Sequence, residues 1–343
     1  MNYSDIIKDN YINLNHWWTR LAFHYTDVKN AVSILSSEFL YSRIDAEKLG
    51  IMHNDNASRQ VIDSTNIEAK SHVRFYFRPL TPTQYYNEGY KHADIRYEDD
   101  NFANIPIPIF FAFDLNKLLS LPETKFSQLS QAGFGGVLYN TPEDFAKFPF
   151  DKIYSNGYSD DWKNVNQYRH AEILYPDRFD INICINAILC RNNVERTTLL
   201  NLLKATNLKN YYKFKPLIKI CREDMFQNNG LFINECQFHN NTVSVSFADT
   251  LNKRKYCYSE MEKHNLDKLD NVRGRLELTW LNGNQIWYSM SFNTVINYMS
   301  PIPLTVTNLP TVKGAKTIKI QFYLENDLMC CIEQPLNDVE LFK

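Results

Sequence analysis

The sequence lacks the features that mark several classes of protein. It contains no run of about 18 apolar residues, so we predict no membrane-spanning helix. The first residues, MNYSDIIKDN, have neither the basic start nor the apolar stretch of a signal peptide. The 7 cysteines form no CxxC motif and no Cys/His spacing typical of zinc sites. We therefore expect a cytoplasmic protein with reduced thiols and no bound metal.

A strong excess of one charge is also missing. The formal net charge is −2, which argues against a protein that coats nucleic acid indiscriminately. The charge is unevenly distributed, because residues 1–180 hold 18 Lys or Arg against 24 Asp or Glu, whereas residues 181–343 hold 19 against 15. Any contact with nucleic acid is therefore expected in a local groove or in the second half.

The length predicts more than one domain. A chain of 343 residues exceeds what a single compact core usually supports. The hydrophobic pattern changes after about residue 186, where a helix is expected, and again near residue 228, where alternating strands are expected. We expect a first domain over residues 1–185, a helical connector over 186–227 and a β-rich accessory domain over 228–343.

Hydrophobic patterning predicts alternating strands and helices in the first half. WWTRLAFHYT is an expected strand ending at Tyr25, and Asp27 is a favourable N-cap for the next helix. HVRFYF is an expected strand stopped by Pro79, and a helix is expected to begin near Pro82. IPIPIFFAFDL and QYRHAEILYPDRF carry two further strands, whereas the polar residues 45–70 predict a loop or lid.

The second half contains strong hairpin signals. ERTTLLNLLKA has the spacing of an amphipathic helix, and NTVSVSFADT alternates as a half-buried strand does. RGRLELTWLNGNQIWYSMSF carries an Asn-Gly between alternating segments, and a second hairpin is expected to turn at residues 325–327. Strands at this spacing predict an antiparallel, sandwich-like domain of roughly 110 residues.

Three motifs in the first half resemble those of a known family. FHYTDxxNAxxIL, VRFYFRPxTP and YRHAEIL follow one another over about residues 20–180. In this order they resemble the DarT family, ADP-ribosyltransferases that modify single-stranded DNA. The resemblance implies an α+β ADP-ribosyltransferase fold, in which two small sheets hold NAD, the co-substrate, in the cleft between them.

The resemblance also implies roles for individual residues. Glu172 matches the glutamate of the family's catalytic strand. Arg59 stands where the family has an arginine that would contact the pyrophosphate or the modified base, with Arg43 and Arg74 as rivals for that position. The residues expected to bind the cofactor are His24, Thr26 and Asn30 at the adenosine end and Tyr76 and Phe77 at the nicotinamide end.

The chemistry of the reaction suits this set. Loss of nicotinamide leaves an oxocarbenium-like ribose, which a nearby carboxylate stabilises as in glycoside hydrolysis. The same carboxylate can accept a proton from the attacking base nitrogen. An arginine supplies donors to phosphate and stays charged at working pH.

The chain departs from the family pattern just before the catalytic strand. Phe148-Pro149-Phe150-Asp151 replaces a frequent Leu-Asp-Trp, and Tyr168-Arg169-His170 replaces basic residues and Gln. This loop chooses the acceptor in ADP-ribosyltransferases, so we expect nucleic acid to contact Tyr168, Arg169, His170 and Trp162. The basic and aromatic stretch from Lys204 to Lys215 suits either single-stranded nucleic acid or a solvated helix face.

These observations lead to one main hypothesis. The protein is expected to be a toxin or antiphage effector that ADP-ribosylates a base in single-stranded DNA, and a macrodomain-type antitoxin is its expected partner. Single-stranded substrate is expected because pairing occupies the ring nitrogens. Two alternatives remain, namely the same chemistry on RNA or protein, and an inactive transferase whose β-rich domain is a binding module.

Overall fold

A computed structural model describes residues 2–14, 16–53, 67–96, 104–131, 136–157, 161–221 and 223–336. These residues form a mixed α and β structure with several antiparallel sheets. The buried apolar side chains fall into two clusters, one within the first 226 residues and the other mainly in the second half.

The described helices are Tyr3–Leu14 (α1), Val28–Ser37 (α2), Arg43–Leu49 (α3), Ile67–Lys70 (α4), Pro82–Asn87 (α5), Leu115–Leu119 (α6), Pro142–Phe145 (α7), Phe150–Ile153 (α8), Trp162–Tyr168 (α9), Asn193–Thr206 (α10), Leu208–Phe214 (α11) and Leu251–Lys263 (α12). None of the described helices is long and apolar enough to span a bilayer.

Seven of the described strands form one large sheet. They are Leu21–Asp27 (β1), His72–Tyr76 (β3), Pro108–Asp114 (β4), Lys125–Ser127 (β5), Glu172–Pro176 (β6), Ile185–Cys190 (β8) and Ile218–Ile220 (β9). Their order is β5-β6-β3-β1-β4-β8-β9, and every neighbouring pair is antiparallel except β8 with β9. A separate ribbon pairs Phe39–Tyr41 (β2) with Arg178–Asp180 (β7). The first half is therefore built on one wide sheet and a short ribbon, where two small sheets were expected.

Several elements of the first half form where local sequence signals predict them. The Asp27 carboxylate accepts a hydrogen bond from the Lys29 backbone N–H at 2.9 Å, which caps α2 as predicted. Thr81 caps the helix that begins at Pro82. β4 is apolar up to its last residue, Asp114, because it lies between β1 and β8 and is buried along almost its whole length.

The loop prediction for residues 45–70 was wrong at its start. Residues 43–49 form α3, because the Ser42 hydroxyl accepts from the Asp45 backbone N–H and Gly50 ends the helix in the left-handed region. α4 lies at the end of the same stretch. Both helices are short and lie in a polar stretch, so the hydrophobic pattern did not predict them. Residues 54–66 lie outside the described part of the chain.

The second half contains two antiparallel sheets. One joins Ile233–His239 (β10), Thr242–Phe247 (β11) and Leu304–Val306 (β14). The other has the order β13-β12-β15-β16 and consists of Val272–Asn282 (β12), Gln285–Ile296 (β13), Thr317–Leu324 (β15) and Asp327–Pro335 (β16). Both predicted hairpins are present. Asn282 pairs with Gln285 around the loop Gly283-Asn284, and Leu324 pairs with Asp327 around Glu325-Asn326.

The predicted connector, residues 186–227, contributes more than helices. Most of β8 and all of β9 lie within it and extend the large sheet. α10 and α11 are also within it, and α10 contacts the second half, since the Thr198 hydroxyl accepts from the Cys331 backbone N–H at 2.9 Å. Strand pairing across residue 186 therefore makes this segment continuous with the first sheet.

Candidate active site

Glu172 is the first residue of β6, in the part of the large sheet where β6 lies between β3 and β5. It stands directly opposite Tyr76 on one side and Ser127 on the other. Directly opposite residues of paired strands project to the same face. Only 1% of Glu172 is exposed, so the carboxylate is buried among these neighbours rather than directed to solvent.

One carboxylate oxygen of Glu172 is held by the protein and the other is not. Oε1 lies 3.4 Å from Nη1 of Arg74 and accepts a hydrogen bond from the Ser130 hydroxyl at 3.2 Å. The backbone N–H of Gln131 is near enough to the carboxylate to lower its pKa. Oε2 is buried and has no hydrogen-bond partner among the described residues. A buried acceptor of this kind costs free energy unless a ligand supplies a donor.

The pKa of Glu172 reflects this environment. Burial raises the pKa of Glu172 above its ordinary value, because the charged form is desolvated. The Arg74 guanidinium, the Ser130 hydroxyl and the Gln131 N–H act in the opposite direction. Burial is the largest of these influences, and the Arg74 guanidinium is the strongest of those that oppose it.

His24 lies where β1 and β3 diverge. β1 pairs with β4 along its whole length, but the ladder between β1 and β3 has Phe23 and Tyr76 as its registered pair. Nδ1 of His24 is 3.0 Å from the backbone carbonyl of Arg74. A carbonyl oxygen can only accept, so Nδ1 carries the proton, and burial lowers the pKa of His24 and keeps the ring neutral. Nε2 is then a hydrogen-bond acceptor.

Thr26 and Asn30 are buried close to this divergence. Thr26 is in β1 opposite Ile109, and Asn30 is in the first turn of α2. The Asn30 side-chain oxygen accepts from the backbone N–H of His53 at 2.8 Å. Asn30 thereby anchors the chain immediately before residues 54–66, which include Arg59 and lie outside the described residues.

Tyr76 and Phe77 have different surroundings. Tyr76 is half-buried beside Glu172, and burial together with the Glu172 charge raises its pKa to about 12, so the phenol stays protonated. Phe77 is fully buried and its ring lies 5.8 Å from that of Phe145 and 6.2 Å from that of Phe148. Alternation explains the difference, since successive residues project to opposite sides. Phe77 packs in an aromatic core.

Arg169 is buried in the segment that precedes β6. Its guanidinium donates to the Ser155 hydroxyl at 3.3 Å and to the Gly157 carbonyl at 2.8 Å. Arg78 binds the same loop, donating to the Ile153 carbonyl at 2.9 Å and to the side-chain oxygen of Asn156 at 2.6 Å. Arg169 therefore holds the loop in place.

The other residues expected to contact nucleic acid lie near the same place. His170 is close to Arg74, and burial together with the positive charge of Arg74 lowers its pKa to about 4. The Tyr168 ring is half-buried, with the Lys152 ammonium 5.1 Å from its centroid. Trp162 begins α9, and its side chain lies outside the described residues.

Sequence reasoning missed three groups that contact Glu172. Arg74 was named only as a rival for the position of Arg59, although it is two residues from Tyr76 in the same strand and so shares its face. Ser130 and Gln131 follow the edge strand β5 in a loop without a motif. Their contact with Glu172 depends on strand pairing between β5 and β6, for which the sequence has no local signal.

The sequence matches a model of a known protein family. A family model described as "ssDNA thymidine ADP-ribosyltransferase, DarT" matches residues 23–226. No curated protein matches the sequence. The family match spans more than half of the chain and includes each candidate from His24 to Glu172.

Several solved structures are similar to part of the chain. Thermus sp. 2.9 DarT in complex with NAD+ has 16% identity and a TM-score of 0.46, over 60% of this chain and 97% of that one. The same protein in complex with ADP-ribosylated ssDNA has 15% identity and a TM-score of 0.46, over 60% of this chain and 96% of that one. Thermosipho africanus DarTG in complex with ADP-ribose has 16% identity and a TM-score of 0.45, over 64% of this chain and 53% of that one.

Proposed function

The chain belongs to the DarT family of single-stranded DNA thymidine ADP-ribosyltransferases, and from this premise we propose that Glu172 is its catalytic carboxylate. The family's enzymes take ADP-ribose from NAD, so NAD is the co-substrate. The observation that supports Glu172 is its buried Oε2, which lacks a partner among the described residues, while Arg74 and Ser130 hold Oε1. A donor from the substrate would complete this site.

The free hydrogen-bonding atoms of Glu172 and His24 suit a ribose. Glu172 Oε2 is an acceptor, and so is Nε2 of His24 when Nδ1 donates to the Arg74 carbonyl. Ribose hydroxyls are donors that match both groups. We assign Thr26 and Asn30 to the support of the adenosine end, Tyr76 to the nicotinamide end and Arg59 to the pyrophosphate or the base, as the family resemblance implies.

Glu172 has two tasks in the proposed reaction. Nicotinamide departs with the electrons of its bond to the ribose, and the negative charge of Glu172 stabilises the cation that remains. A ring nitrogen of the thymine then bonds to the anomeric carbon and its proton passes to the carboxylate. The products are nicotinamide and an ADP-ribosylated base.

The segment before β6 is the proposed acceptor side. His170 lies two residues before Glu172, and the charge of Arg74 lowers its pKa, which supports a contact between His170 and the incoming base. Tyr168 and Trp162 extend the same segment. Arg169 contributes indirectly, because its guanidinium holds the loop at residues 155–157.

The domain arrangement and the biological role extend the proposal. The transferase unit runs to about residue 226, supported by the family match and by β8 and β9 in the large sheet. The sheets of the second half share one apolar core, which includes Val243, Leu276 and Ile320, and this supports a sandwich-like accessory domain. The role we propose is that of a cytoplasmic toxin or antiphage effector restrained by a macrodomain-type antitoxin.

Replacing Glu172 with Gln tests the assignment. Glu172→Gln keeps the shape and removes the charge, so transfer from labelled NAD to a thymidine-containing single strand should fall about 100-fold to 1000-fold. The thermal midpoint should change little, because Gln fills the same space and Arg74, which loses its charged partner, is partly exposed. Glu143→Gln, at an exposed position, is the matched control and should keep wild-type activity.

The same assay separates the alternatives. Panels of DNA, RNA and protein acceptors are incubated with labelled NAD and analysed by mass spectrometry. Label on thymidine supports the proposal, whereas label confined to RNA or protein replaces the acceptor. An active Glu172→Gln protein would show that another carboxylate does the chemistry.

A further inference from the structure

The stretch from Arg196 to Arg222 is basic and has no compensating acid. It holds seven Lys or Arg and no Asp or Glu, within a chain whose acidic residues outnumber its basic ones. The basic residues are Arg196, Lys204, Lys209, Lys213, Lys215, Lys219 and Arg222. A run of this length without a carboxylate produces a local positive potential.

The fold places Arg196, Lys209 and Lys219 on α10, α11 and β9 respectively. Arg196, Lys215 and Lys219 line an open groove of about 500 Å³ together with the apolar residues Pro216, Ile218 and Ile220. In α11, Lys209 and Tyr212 are three residues apart and so are neighbours on the helix surface. We call Lys209, Tyr212, Lys215 and Lys219, with the groove, the basic surface.

The fold itself leaves three of these lysines available. Lys213 pairs with Glu38, and Nε of Arg196 donates to the Ile218 carbonyl at 2.9 Å, so both help to hold the structure. Lys209, Lys215 and Lys219 are exposed and form no salt bridge with a carboxylate of the described residues. Tyr212 is 66% exposed, although tyrosine rings usually bury much of their area.

We propose that the basic surface is a second binding site for the single-stranded DNA acceptor, distinct from the catalytic cleft. Exposed lysines that form no salt bridge can bind phosphates, and an exposed aromatic ring stacks on unpaired bases. The cations are spread over two helices and a strand, which fits an extended polyanion better than one phosphate group. This inference rests on the proposed function, because it takes the acceptor to be DNA.

The position of the basic surface predicts a length dependence. β6, which carries Glu172, and β9 are separated by five strand spacings in the sheet order, or roughly 24 Å at about 4.8 Å each. A stacked strand advances about 3.4 Å per nucleotide, so roughly seven nucleotides are needed to reach both sites. A tetranucleotide in the cleft cannot touch the basic surface, whereas a 20-nucleotide strand can.

Charge neutralisation combined with oligonucleotide length provides the test. The basic-surface variant is a triple substitution, Lys209→Gln, Lys215→Gln and Lys219→Gln. The control is a second triple substitution, Lys255→Gln, Lys313→Gln and Lys316→Gln, which removes the same charge from exposed lysines elsewhere. For a 20-nucleotide strand with one terminal thymidine, kcat/KM should fall about tenfold at 50 mM salt only in the first variant. For a tetranucleotide both variants should match the wild type. An equal loss at both lengths, or no loss, overturns the proposal.

Binding without catalysis keeps this inference separate from the proposed function. Affinity of the 20-nucleotide strand is measured by fluorescence anisotropy at several salt concentrations. The slope of log affinity against log salt should decrease by about 2 in the basic-surface variant, since each single-strand contact contributes roughly 0.7. If the wild-type protein transfers no ADP-ribose but the slope still changes in the variant, the proposed function is rejected and the second DNA-binding site is not. Tighter binding of RNA than of DNA through the same lysines would overturn the assignment to DNA.

Tyr212 tests the stacking component. Tyr212→Ala should weaken binding of the 20-nucleotide strand about fivefold or more, the low end of what a base stacked on an aromatic ring contributes. Tyr258→Ala is the control, because Tyr258 is 62% exposed in α12, outside the basic surface. Equal affinity of the two variants would show that no base stacks on Tyr212.

Discussion

Arg74 is the residue on which the ionisation of Glu172 depends most. Burial raises the pKa of Glu172, and the Arg74 guanidinium is the largest influence that lowers it. The other titratable groups nearby are Tyr76, whose pKa is raised to about 12, His170, whose pKa is lowered to about 4, and His24, whose pKa burial lowers. All three are neutral near pH 7, so the pH response of this site belongs to the pair of Arg74 and Glu172.

Removing Arg74 should shift the pH dependence of transfer. In Arg74→Met the pKa of Glu172 should rise further, because the charge that most opposes the effect of burial is removed. Activity requires the ionised carboxylate, so transfer should be lost near neutral pH and regained as the pH rises. Profiles of kcat/KM from pH 5 to pH 10 measure this shift, and Arg74→Lys should reverse part of it. A uniform loss at every pH would mean that Arg74 acts only through packing.

At the level of elements, the loop after β5 shapes the site. Ser130 and Gln131 contact the Glu172 carboxylate, and the Gln131 side chain donates to the Gly136 carbonyl at 2.9 Å. A Cβ atom at Gly136 would lie 2.4 Å from Oγ of the buried Ser127 and 2.8 Å from Nε2 of Gln131. The loop has no room for a side chain at this position, so its path depends on glycine.

Gly136→Ala should therefore displace the loop from Glu172. We expect kcat/KM to fall about tenfold with little change in thermal midpoint, because loops contribute less to global stability than the sheet does. Adding Ser127→Ala removes the nearest clashing atom and should restore part of the activity. Wild-type kcat/KM in the single variant would mean that the loop does not position the carboxylate.

At the level of the whole molecule, a buried network links the two halves. The Glu88 carboxylate is fully buried, lies 3.3 Å from Nη1 of Arg191, and accepts from the backbone N–H groups of Gln227 and Asn228 at 2.9 and 2.8 Å. Beside it, Tyr90 and Leu231 exchange backbone hydrogen bonds at 2.9 Å. The transferase unit and the β-rich half are thus joined through groups that are buried away from solvent.

Glu88→Gln tests how strongly this network holds the molecule together. Arg191 keeps its pair with Glu195, but the backbone donors of Gln227 and Asn228 lose a charged acceptor, so the free energy of unfolding should fall by about 1–3 kcal/mol. Urea unfolding followed by tryptophan fluorescence measures the loss. Glu325→Gln breaks the exposed pair with Arg273 and should change the midpoint little. Equal midpoints for the two variants would argue against a linking role for Glu88.

Much of the local structure could be predicted because it depends on neighbours in the chain. Asp27 and Thr81 cap their helices, β11 alternates, and both hairpins turn where small and polar residues allow it. The family was predicted from three motifs and confirmed by the match over residues 23–226. The roles of Glu172 and His24 stay predictions that Glu172→Gln and the pH profiles can test.

The family, many of the elements and the candidate carboxylate could be predicted, because short stretches of residue type and spacing encode each of them. The folded chain adds that Arg74 and Ser130 hold Glu172, that Phe77 is core, and that β8 and β9 extend the large sheet. These features depend on pairing between strands far apart in the chain. That pairing follows from burial of the whole apolar surface and has no local signal.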